Sequence, residues 1–104
     1  MRGSRRLFLL GLAAAWPAAA APRVHTVVIE KMAFGPTPAG LRVGDTIEWV
    51  DRDIFRHTAT ARDGRFNLDL PPNGRGRTVL RAAGRVAVYC RYHTAMTAVL
   101  AVGK

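Results

Sequence analysis

Residues 89–96 read YCRYHTAM, and Cys90 is the single cysteine of a 104-residue chain. Cys90, His93 and Met96 stand in the pattern C-x-x-H-x-x-M, so a thiol, an imidazole and a thioether share one short segment. Each of the three groups can hold a soft metal ion. With no second cysteine an intrachain disulfide is excluded, and a thiol in an oxidising compartment must be buried, paired with another chain, or occupied by a ligand. Three donors on so short a segment do not enclose an ion. The fold must therefore deliver a fourth from elsewhere in the chain.

The rest of the sequence says what kind of fold can do this. Val24–Glu30, VHTVVIE, is rich in β-branched residues and reads as a strand. Thr46–Val50 follows the turn-forming Gly44-Asp45 and sets Ile47 and Trp49 on one face. Arg77–Ala82 follows PPNGRG, and Arg85–Cys90 alternates so that Val86, Val88 and Cys90 share a face. Cys90 is thus expected to point inward at the end of a strand, and Thr97–Val102 closes the set after Met96. No sustained helical period follows residue 21. Short strands separated by Gly, Pro, Asn and Asp imply an all-β sandwich. The segment Asp63–Gly76 is the least regular and is expected to be a loop with a short turn of helix.

The first twenty residues have a different character. Met1–Arg6 carries three arginines and no acid, Leu7–Trp16 is apolar, and Pro17–Ala21 is nearly all alanine. Basic, apolar, then small describes an export signal, here residues 1–20 with cleavage after Ala20. The Ser4-Arg5-Arg6-Leu7-Phe8-Leu9 stretch also resembles a twin-arginine signal. The apolar run has roughly half the length a membrane-spanning helix needs, so no anchor is expected after cleavage. Residues 21–104 then form one domain, small enough to bury only about 60% of its unfolded surface. A bound metal would add stability to it. After residue 20, thirteen Lys and Arg face seven acids, a net charge of +6. Such a surface favours acidic partners. The arginines are scattered and not grouped in runs, and nucleic acid is not an expected partner.

His57, in RHTAT, is the candidate fourth donor, since neighbouring strands of a sandwich bring distant positions together. Zinc gains little from a thioether. Two imidazoles and a thiolate with a weak axial methionine are the donor set of blue-copper electron-transfer sites, so copper is the expected metal.

On these residues the chain resembles the cupredoxin family, the small type 1 blue copper proteins that include plastocyanin, pseudoazurin and amicyanin. VVIEKMAFGPTPAGLRVGDTIEWVDRD resembles the family's first sheet, HTAT its first histidine, and YCRYHTAM its ligand loop, with the amicyanin-like two-residue gap between His93 and Met96. The resemblance implies a Greek-key β-sandwich of about seven or eight strands, with His57, Cys90, His93 and Met96 binding one type 1 copper ion, Cu(I) or Cu(II). Two departures stand out. Arg91-Tyr92 replaces the proline common between Cys and His, and Thr58 or Asp51 stands where asparagine is common. Thr58 is expected to tie the two ligand segments together through its hydroxyl or backbone N–H.

The function implied is that of a periplasmic one-electron carrier, a monomer and not an enzyme, serving a cytochrome or dehydrogenase partner with an acidic docking face. The alternative is copper delivery or sequestration, which the chain's single cysteine and two methionines beyond the signal disfavour. Among the remaining residues, His25 is expected to be a surface or half-buried histidine without metal. Trp49, Met32 and Phe34 are read as core and packing residues, with a lesser expectation that Met32 or Phe34 borders His93.

Overall fold

In the computed structural model, residues 21–104 are described, and the export signal expected at residues 1–20 lies outside them. The described residues hold nine strands and no helix: β1 Val24–Glu30, β2 Ala33–Phe34, β3 Leu41–Arg42, β4 Thr46–Asp51, β5 His57–Ala61, β6 Asn67–Leu70, β7 Arg75–Val79, β8 Gly84–Tyr89 and β9 Thr97–Gly103. They form two sheets, β2-β1-β4-β7 and β3-β9-β8-β5-β6. β1 and β4 run parallel, with Val27 opposite Trp49, and most other neighbours are antiparallel. The chain changes sheet five times, between β2 and β3, β3 and β4, β4 and β5, β6 and β7, and β7 and β8. The all-β sandwich expected from the sequence is the architecture found. Two strands beyond seven, β2 and β3, are only two residues long.

The alternation that marked the strands is what fills the space between the sheets. Val27, Ile29, Ile47 and Trp49 from one sheet meet Val86, Val88 and Leu100 from the other, all essentially inaccessible to solvent. A fully buried aliphatic side chain of this size contributes about 1.5–3 kcal/mol. Trp49 adds a polar requirement, which its indole N–H meets by donating to Thr78 Oγ1 at 3.0 Å. Phe34 packs edge-on against it with centroids 5.9 Å apart, as a packing residue should.

The segment 63–76 is a correction. It contains no helix; β6 pairs with β5, His57 opposite Leu70 and Thr60 opposite Asn67, and β7 starts at Arg75. Phe66, Leu68 and Leu70 alternate with Asn67 and Asp69, and this period of two turns the leucines inward between turn-forming residues. The C-terminal part of the expected 77–82 strand is correspondingly not strand, because β7 ends at Val79.

At the start of β4 a buried carboxylate ties three segments together. Asp45 Oδ1 accepts the Arg23 N–H at 3.0 Å, and Oδ2 accepts the Arg42 N–H at 3.1 Å and contacts His25 Nε2 at 2.9 Å. His25 is therefore half-buried and paired, in line with its expected structural role. The Arg23 N–H, followed by the His25 bond, holds the Asp45 carboxyl below its ordinary value of 3.8. A depressed carboxylate stabilises the fold fully above that value, and the effect disappears as pH falls through the lowered folded value. D45N turns an amide N–H toward donors the carboxylate accepts. Urea unfolding should give a lower midpoint for D45N than for wild type at pH 7, with the gap closing below about pH 4.

Candidate metal centre

The β5–β8 pairing is what creates the site. Thr60 lies opposite Tyr89 and Ala61 opposite Val88, so continuing the antiparallel register sets Thr58 against Arg91 and brings the first residue of β5 beside the end of β8. Cys90, one residue past β8, carries the inward face of Val86 and Val88 onward and is completely buried. His93 and Met96 lie on the loop to β9, closed by bonds from Met96 N–H to the His93 carbonyl at 2.8 Å and from Cys90 N–H to the Met96 carbonyl at 3.2 Å.

His57, Cys90 and His93 converge, with their donor atoms all within 4.8 Å of one another. Cys90 Sγ lies 3.7 Å from His57 Nδ1 and 3.8 Å from His93 Nδ1. A trigonal ion with bonds of about 2.0 Å to nitrogen and about 2.3 Å to sulfur holds N and S about 3.7 Å apart. The triangle already has the dimensions of a metal site. The two imidazoles stand edge to face with centroids 5.0 Å apart. Met96 lies buried at the end of the same loop. His57 is fully buried, whereas His93 is half-buried. Because His93 turns Nδ1 toward the sulfur, its Nε2 edge is the one turned away.

Thr58 joins the two ligand segments by both of the routes open to it. Its backbone N–H points at Cys90 Sγ at 3.4 Å, and its hydroxyl accepts the Arg91 N–H at 2.8 Å. That hydroxyl is also 2.9 Å from Thr60 Oγ1, which donates to Asn67 Oδ1 at 2.8 Å, so the network extends into β6. A loop without proline is thereby fixed by hydrogen bonds.

Sequence reasoning missed Asp53. Its Oδ2 lies 2.9 Å from His57 Nε2, behind the imidazole as seen from the sulfur. The available signal was a carboxylate four residues before a candidate ligand, in a segment that otherwise reads as a turn. Asp51, at the end of β4, is buried, and its Oδ1 accepts the Asp53 N–H at 2.8 Å. Burial pushes the Asp51 carboxyl up, and its Oδ2 has no partner among the described residues.

These contacts set the charge of the site. Burial alone would push the Cys90 thiol up, but the Thr58 N–H and the two imidazoles outweigh it and bring the thiol down from 9.0 to about 6. For His57 burial works downward, and the bonds to Asp53 and Cys90 win, raising it. Both directions favour a thiolate beside a protonated imidazole in the metal-free protein.

No family model and no curated protein sequence matches the chain. Solved structures do. A Cu(I)-form amicyanin variant superposes over 81% of this chain and 86% of its own with a TM-score of 0.67 at 22% identity. A purple cupredoxin from Nitrosopumilus maritimus gives 0.66 at 20% identity, covering 76% of this chain and 99% of its own. The chain has the cupredoxin fold. Within it, the His57-Cys90-His93 triangle fits the donor set of a type 1 copper site. A copper-containing nitrite reductase from Thermus scotoductus is also similar, at 26% identity and a TM-score of 0.68 over 88% of this chain. This cupredoxin-fold chain matches only 26% of that enzyme's length.

In the metal-free protein, the ultraviolet absorbance of the Cys90 thiolate should appear with a midpoint near pH 6, well below the ordinary 9.0. A midpoint at or above 8 would mean that the imidazoles and the Thr58 N–H do not act on the sulfur.

Proposed function

We propose that the chain is an exported type 1 copper protein that carries single electrons between redox partners. The observation behind this reading is the buried thiol held 3.7 and 3.8 Å from two imidazole nitrogens at one end of a cupredoxin sandwich. His57, Cys90, His93 and Met96 would hold the ion, and two imidazoles, a thiolate and a thioether are the donor set of a blue-copper site. Copper bound there supplies a Cu(I)/Cu(II) couple, with sulfur suiting the first state and nitrogen the second.

The chain's own residues keep rearrangement small. His57 is held by Asp53, the sulfur and its loop by Thr58, and Cys90 by the packed end of β8. His93 gives the half-buried route to the surface. Phe55 packs edge-on against it at 6.3 Å, and Ile54 beside Phe55 in sequence, Phe55 itself and Tyr92 beside His93 in sequence are 81%, 49% and 48% exposed. Met32, 38% exposed, belongs to the same end because its N–H binds Asp53. The exposed Lys31, Arg52, Arg56 and Arg91 flank these residues in sequence. Arg56 pairs with Asp69 at 3.1 Å, and Arg91 lies over the Tyr92 ring at 5.5 Å. An apolar centre with basic flanks fits a cytochrome or dehydrogenase whose docking face is apolar with an acidic border.

Burial of Cys90 and His57 argues against copper delivery, which calls for an open site. Catalysis like that of a copper reductase would require a second metal centre. The chain has three histidines, two of them at this site and His25 bonded to Asp45 at the other end of β4. Export and a periplasmic location rest on the basic, apolar and small-residue order of residues 1–20, and the carrier is proposed to work as a monomer.

Loading with Cu(II) should give an intensely coloured blue protein that bleaches on reduction, with the narrow copper hyperfine splitting of a type 1 site in paramagnetic resonance. C90S should lose the colour entirely. A colourless copper-loaded wild type would overturn the reading. With the physiological partner or a small acidic cytochrome, electron transfer should slow as ionic strength rises, and F55A or I54A should reduce the rate at least about tenfold with the visible spectrum unchanged. Rates indifferent to both salt and these substitutions would remove the proposed docking face.

A further inference from the structure

Asp53 is the most heavily engaged polar side chain at the metal end of the sandwich. Its Oδ2 contacts His57 Nε2 at 2.9 Å and accepts the Met32 N–H at 3.0 Å, while Oδ1 accepts the Ile54 N–H at 2.9 Å. Its own N–H is held by Asp51 at 2.8 Å. The carboxylate is largely shielded, with 11% of its side-chain surface accessible, and His57 has none.

The Met32 contact lies at a strained position. Lys31 and Met32 connect β1 to β2 with φ of 54° and 60°, a left-handed two-residue turn usually built from Asn and Gly. Side chains with a Cβ resist this conformation. The bond to Asp53 helps hold the turn. One carboxylate thus fixes the β1–β2 turn, the 52–56 crossover and the imidazole of β5 relative to one another.

Its effect on His57 is chemical as well as positional. A carboxylate at Nε2 requires a proton on that nitrogen, which leaves Nδ1, the atom 3.7 Å from the sulfur, as the one free to bind a metal. The hydrogen-bonded carboxylate also makes the imidazole more electron-rich. It places a negative charge behind the ligand, so a doubly charged ion gains more from it than a singly charged one.

Building on the type 1 copper reading, we propose that Asp53 is a positioning residue that selects Nδ1 of His57 as the metal-binding nitrogen and biases the bound couple toward Cu(II). The same carboxylate links the metal end to the exposed Ile54-Phe55 surface, since both residues belong to the segment it anchors.

The test is the reduction potential of copper-loaded D53N beside wild type. Asparagine keeps the size and an acceptor oxygen but removes the charge. The variant should remain blue, and at a fixed redox poise its oxidised-to-reduced ratio should fall at least tenfold, an upward shift of about 59 mV for a one-electron couple. A ratio changed by less than about twofold in a blue variant would overturn the assignment. Where D53N fails to fold or to take copper, nitrogen NMR of the wild-type Cu(I) protein decides. A slowly exchanging His57 Nε2–H supports the proposal, and a His57 that binds through Nε2 or exchanges that proton rapidly refutes it. A wild type that never turns blue refutes the copper reading itself, whereas a blue wild type with an unshifted variant refutes only the role of Asp53.

Discussion

The site depends on the antiparallel pairing of β5 with β8. Residues 33 apart in sequence become neighbours only because Thr60 and Ala61 pair with Tyr89 and Val88, and that register leaves His57 beside the buried thiol of Cys90. A slip of one residue would turn every side chain of β8 to the other face. Cys90 would then leave the core together with Val86 and Val88. The hydrophobic alternation of β8 and the placement of the thiol are consequently one constraint, and the energy that packs the valines also aims the sulfur.

Desolvation works against a charged sulfur so deep in the fold, and the neighbours overcome it. Thr58 supplies a backbone N–H, the imidazoles supply positive character, and Asp53 in turn favours a proton on the far nitrogen of His57. Among the described residues, Asp51 Oδ2 is the one buried side-chain oxygen or nitrogen without a hydrogen-bond partner. A donor triangle held by packing and hydrogen bonds suits electron transfer, where movement between oxidation states slows the reaction.

Much of this was legible in the sequence because it rests on short patterns. The period of two in Val86-Val88-Cys90 gave the inward thiol, C-x-x-H-x-x-M gave the loop, and the spread of short strands gave the sandwich. His57 was legible as the distant partner through its place after the Trp49 strand. The remainder was hidden for physical reasons. HTATA is a strand whose residues are all buried, threonines included, and it lacks the large apolar residues that mark a core strand. The leucines of β6 were masked by the prolines, glycines and aspartates around them. Asp53 sits among bends, where an aspartate ordinarily reads as a turn former, and only the fold shows its carboxylate behind an imidazole. That no sequence family matches while the fold superposes well on amicyanin agrees with this: a few donors and an alternation carry the architecture.

Donor geometry set by the sandwich, and not by the metal, is the premise on which the site rests. Amide NMR of the metal-free and Cu(I)-loaded proteins tests it most directly. Shift changes should be confined to residues 53–58 and 89–96, with the remaining strands superimposable in both forms. Widespread changes through β1, β4 and β9 on loading would show instead that the ion organises the fold.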